Sequence, residues 1–86
     1  MGTLDAWPPA PEGVTMVGYA IYMRPLDFPD NWVVRRWFVV EGQDKPVFDV
    51  VPRLANVLDE ARRHVPPGLT CLIDDRDDPF LFEFWM

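Results

Sequence analysis

Eighty-six residues, 49% of them apolar and 14% aromatic, provide one small core and exclude wholesale disorder. A formal charge of −6 argues against direct nucleic-acid binding, which rests on Lys and Arg neutralising phosphates, and fits a partner that, if charged, is basic. One cysteine excludes an internal disulfide, and neither a leader-like N-terminus nor an 18-residue apolar run is present; the expected setting is the reducing cytoplasm, with no membrane contact.

Residues 1–13 contain Trp7-Pro8-Pro9, Pro11 and Gly13, and read as an irregular arm ahead of a single domain over 14–86. The arm has two readings: a loose terminus, or a segment that Trp7 clips onto the sheet. Val14 to Met23 is apolar and β-prone and predicts a first strand, ended by Arg24-Pro25 because proline lacks the amide a ladder needs. Asp27-Phe28-Pro29-Asp30-Asn31 is rich in turn formers.

Trp32 to Glu41 is the longest β-branched and aromatic run and predicts the central strand. Alternation places Val33, Arg35, Trp37 and Val39 on one face and Trp32, Val34, Arg36, Phe38 and Val40 on the other. Each face is therefore largely apolar with one arginine, which is unusual for a strand with one side in water. Gly42 ends it. Val47 to Val51 predicts a short extended segment at most, because Pro52 opposes a central strand there.

The helix is expected from Asn56, a good N-cap, with Asp59 and Glu60 in the first turn. Val57, Leu58, Ala61 and Val65 form its apolar face, Arg62, Arg63 and His64 suit its C-terminal end, and Pro66-Pro67-Gly68 stops it. A start nearer Pro52 would add Leu54. Leu69 to Ile73 predicts a third strand, Asp74 to Asp78 a charged turn, and Pro79 to Met86 a fourth strand. The expected fold is α+β: an antiparallel sheet of about four strands with one short helix on one face. Phe80, Phe82, Phe84 and Met86 are assigned to the core beneath the helix, and Leu81, Glu83 and Trp85 to the uncovered side with Trp37.

Enzymatic chemistry finds little support. The chain has no serine, and Cys71 with His64 is its only thiol–imidazole pair. A cysteine in an apolar strand is more often a buried inert thiol, and His64 is better read as a helix C-terminal residue beside the dipole. One His and one Cys make no zinc site, and Asp74 to Asp78 lacks the alternating ligands and glycine of a calcium loop. No cofactor or metal is expected. The acidic stretch reads first as a solvated hairpin turn and second as a surface for a basic partner. Arg35 and Arg36 are expected to pair with Glu83 across strands or to stack on Trp37 or Trp85. The aromatic–arginine patch has the composition of a protein-binding hot spot, with folded core as the alternative. The candidate partner-binding residues are thus Arg35, Trp37, Glu83, Trp85, Asp74, Asp75, Asp77 and Asp78.

Tyr19-x-x-Tyr22, Pro25, Asp27-Phe28-Pro29-Asp30 and Val33-Val34-Arg35-Arg36-Trp37 resemble small uncharacterised proteins of GC-rich bacteria and their prophages. Leu58-Asp59-Glu60-Ala61-Arg62, Pro66-Pro67-Gly68-Leu69, Asp77-Asp78-Pro79 and Trp85 continue the resemblance, which covers most of the chain from Tyr19 onward. With Lys45 as the only lysine, the Arg-rich basic set has the same flavour of a GC-rich coding bias. The resemblance implies an origin and a compact fold but no mechanism. The aromatic C-terminus and proline-rich arm depart from the pattern and mark a specialised binder. Small acidic prophage proteins without enzymatic features include anti-CRISPR inhibitors, a likeness of class rather than of motif. The expected function is a non-enzymatic protein-binding module, specifically an inhibitor of a nucleic-acid-handling bacterial complex. The alternative is a housekeeping accessory subunit or a homodimer with a self-complementary sheet face.

Overall fold

A computed structural model of the protein describes residues 7–49, 51–72 and 80–86. It is α+β, as expected, but the antiparallel sheet has six strands rather than about four. The strands are β1 (Val14–Met23), β2 (Trp32–Val40), β3 (Val47–Phe48), β4 (Arg53–Ala55), β5 (Cys71–Leu72) and β6 (Leu81–Trp85). The order across the sheet is β3-β2-β1-β6-β5, with β4 also pairing with β2.

The two long strands carry the densest β-branched and aromatic sequence, and they form the centre. Their register runs from Val14 opposite Val40 to Met23 opposite Trp32. Beyond β1, Arg24 takes a left-handed conformation (φ 46°), and backbone bonds from Phe28 to Pro25 and from Asn31 to Phe28 close the turn. At the other end, Gly42 adopts φ 85°, a region few side chains tolerate, and lets the chain leave β2 sharply.

The extra strands are short edges. β3 pairs with β2 at Trp37 and Phe38, within the stretch expected to be extended. β4 lies where a longer helix was an option. The Trp32–Val34 edge of β2 offers unpaired backbone groups, and residues 53–55 take them up, with Ala55 opposite Trp32 and Arg53 opposite Val34. That pairing delays the helix.

Helix α1 spans only Leu58–Arg62, and its N-cap is Val57, not Asn56. The Asn56 backbone N–H, one residue ahead of the cap, instead donates to the Glu60 carboxylate at 3.2 Å. Bonds from His64 to Ala61 and from Val65 to Arg62 extend the coil by a tighter turn before Pro66. The core beneath α1 contains Tyr19, Ile21, Val34, Ala55, Ala61 and Val65. Ile21 and Val34 are fully buried, contributing about 1.5–3 kcal/mol each.

So short a helix cannot cover the sheet, and the N-terminal arm completes the cover. Of its two readings, the clip is the one observed. The Trp7 indole donates to the His64 carbonyl at 2.6 Å and packs on Tyr19 with ring centres 5.5 Å apart. The Arg36 and Arg53 guanidiniums lie 5.4 and 4.9 Å from the Trp7 ring. Arg36 is itself buried on this face, paired with Asp49 at 2.8 Å. Among the described residues no helix is long and apolar enough to cross a membrane.

Candidate protein interface

Pairing partners in an antiparallel sheet share a face. The side away from α1 therefore carries Met16, Gly18, Ala20 and Tyr22 of β1 with Val33, Arg35, Trp37 and Val39 of β2. Phe48 extends this face through Trp37, Leu54 through Val33, and Leu72 through Phe84. Arg35 is the one charged strand residue on this side among the described residues, since Arg36, Arg53 and Glu83 belong to the helix side.

Gly18 shapes the centre of the face. A Cβ built there would lie 2.3 Å from Trp37 Cζ2 and 2.4 Å from Cε2, so the indole rests flat on the β1 backbone where a side chain would stand. On its flank the ring stacks on Phe84, with centres 5.1 Å apart and planes 8° from parallel. Tyr22, Trp37, Phe48, Leu81 and Phe84 then line an apolar hollow of about 260 Å³. A second hollow shares Tyr22 and Phe48 and is closed by Pro25, Asp27 and Arg35.

The two predicted clusters of site residues fare differently. Arg35 and Trp37 lie on the uncovered face as expected. Arg35, however, lies on the face opposite Glu83 and bonds Asp27 at 2.7 Å, from the turn after β1. That pair is partly exposed and stabilises by about 0–1 kcal/mol.

Glu83 and Trp85 are corrected to the opposite side. Glu83 is buried against α1, where it accepts from Arg62 Nε at 3.0 Å and again from Arg62 Nη2. The Trp85 indole donates to Glu83 at 3.1 Å, and Trp85 packs against the helix-side core. The Arg62 hydrogen bond, helped by that of Trp85 and opposed by burial, holds the Glu83 carboxyl below the usual glutamate range.

The cause of the error is a β-bulge. Along β1, Ile21 faces Glu83 but Tyr22 faces Leu81, so Phe82 is the extra residue. Strict alternation fails there. Phe84 and Leu81 both land on the open face, while Phe82 makes an edge-on contact with Trp32 at 5.1 Å. Phe84 therefore does not belong to the core beneath the helix, as alternation had placed it.

Asp74, Asp75, Asp77 and Asp78 lie outside the described residues. The sequence reading placed Leu81 on this face but missed Gly18, Tyr22, Phe48 and Phe84. The one available signal was Gly18, since a glycine inside an apolar strand marks close approach by another group. No three His, Cys, Asp or Glu side chains gather as a metal site among the described residues. Comparison with protein families, curated proteins and solved structures finds no match.

Proposed function

We propose that the protein is a non-enzymatic binding module and that its working surface is the sheet face opposite α1. One observation supports this above the others. Met16, Phe48, Leu54 and Leu72 on that face are 43, 48, 44 and 41% exposed around the stacked Trp37–Phe84 pair. Half-solvated antiparallel sheets normally turn polar residues to water, and a contiguous apolar face rimmed by polar groups is the mark of a protein contact.

The finer reading, a prophage-type inhibitor of a nucleic-acid-handling complex in the cytoplasm, draws on the −6 charge and on the Asp74–Asp78 stretch. It gives the acidic stretch a second, electrostatic role in steering towards a basic partner. The test is affinity capture from host lysate with wild type, Phe48→Glu and Asp75→Asn/Asp78→Asn as baits. Loss of the captured partner with Phe48→Glu supports the face as the contact. Unchanged capture by Phe48→Glu, in a variant with native circular dichroism, removes it.

A further inference from the structure

We infer that the open sheet face is covered by a second copy of this chain, packed face to face about a two-fold axis. The inference rests on the reading of that face as an interface and supplies its occupant. Two observations favour a second copy over a foreign partner, and a third concerns the area such a contact needs.

The first is charge. The chain carries −6, yet among the described residues the strands present only Arg35 to this face, and Asp27 neutralises it at 2.7 Å. The described strands offer a basic partner no carboxylate there, whereas an identical, locally neutral face fits. The second is relief. A two-fold contact sets each patch against itself, so it needs projections and hollows of one chemistry on the same surface. Met16, Leu54 and Leu72 project, and the apolar hollow between Trp37, Phe48 and Phe84 receives. The Arg35–Asp27 pair can exchange across the same axis without leaving a charge alone.

The third is size. Five strands at about 4.8 Å spacing, over about six residues of strand length, give roughly 500 Å² in projection. Side-chain relief raises the accessible area towards the about 600 Å² per partner at the lower end of specific interfaces. The product is a two-sheet sandwich whose inner layer is the present open face and whose outer layers are the two helix sides.

The opposing term is repulsion between two acidic chains, so added salt strengthens this dimer. A contact between the Asp74–Asp78 stretch and a basic protein weakens with salt, which separates the two. The experiment is sedimentation equilibrium of the full chain from low to high micromolar concentration, at low and high sodium chloride, with residue-resolved hydroxyl-radical labelling. The expected mass is twice 10.0 kDa, with Met16, Trp37 and Phe48 protected and dissociation weaker at high salt. Phe48→Glu and Leu54→Glu, both at exposed positions, each raise the dissociation constant about thirtyfold or more and keep the native circular dichroism.

A monomer at high micromolar concentration overturns the dimer. If Met16, Trp37 and Phe48 label freely in that monomer, the face still stands as a surface for another protein. If they are protected, that reading falls as well. A dimer indifferent to both Glu variants forms elsewhere and also overturns the proposal.

Discussion

Replacing Gly18 with alanine tests the architecture of the open face with one methyl group. The added Cβ meets Trp37 Cζ2, Cε2 and Nε1 at 2.3, 2.4 and 2.7 Å, so the indole must lift from the sheet. A rigid ring stacked on Phe84 cannot yield by a small rotation. Overpacking of this kind costs about 1–3 kcal/mol. Loss of the ring stack adds about 0.5–1.5 kcal/mol. Alanine's lower backbone entropy in the unfolded chain offsets about 0.5–1 kcal/mol. The expected net loss is about 2 kcal/mol, a substantial share of the roughly 4–13 kcal/mol available to a domain this small. In urea the midpoint falls by about 1 M. The decisive assay is a double-mutant cycle with Trp37→Leu. Once the indole is gone, Gly18→Ala is neutral or mildly stabilising, and the coupling exceeds about 1 kcal/mol. An equal cost in both backgrounds, or no cost in the wild type, refutes the flat-lying ring.

Three further outcomes follow from the helix side. Trp7→Ala removes a half-buried ring and its bond to the His64 carbonyl, and lowers stability by about 2 kcal/mol in chemical denaturation; a loose arm gives no change. Glu83→Gln removes the hydrogen-bonded carboxylate from Arg62, leaving the exposed Asp59 at 3.8 Å, and costs about 1 kcal/mol at neutral pH. Because the folded Glu83 pKa lies below its unfolded value, its stabilisation is complete above about pH 4.3 and fades as pH falls through the folded pKa. Wild-type and Glu83→Gln unfolding curves therefore converge in acid, and a constant gap down to strong acid contradicts the pairing. Cys71→Ala keeps mass and partner binding intact; lost binding in a folded variant gives the thiol a role that a non-enzymatic module does not need.

The long elements were legible because their composition is one-sided. Val14 to Met23 matches β1 in full, and the expected Trp32 to Glu41 matches β2 to within one residue. The two faces of β2 also followed from its alternation, and Arg35 and Trp37 were placed correctly for that reason. The failures have two physical sources. The short strand β4 exists only because β2 leaves a backbone edge open, which no local propensity in Arg53-Leu54-Ala55 records. The exchange of Phe84 for Trp85 on the open face comes from one bulged residue at Phe82, and bulges depend on the partner strand's register rather than on their own sequence. Trp7 was undecidable for a similar cause, since its acceptor is a carbonyl far along the chain and its cation neighbours lie on separate strands.

The place of β1 in the sheet also governs when the protein can fold during synthesis. β1 is an interior strand, yet one neighbour, β2, follows it directly while the other, β6, comes from far along the chain, with Tyr19 opposite Trp85. Until Trp85 has left the ribosome, the β1–β2 hairpin stands with a bare edge and two apolar faces, the arrangement most prone to pairing with another chain. Closure then waits on a contact spanning most of the sequence, which sets a slow, non-local step.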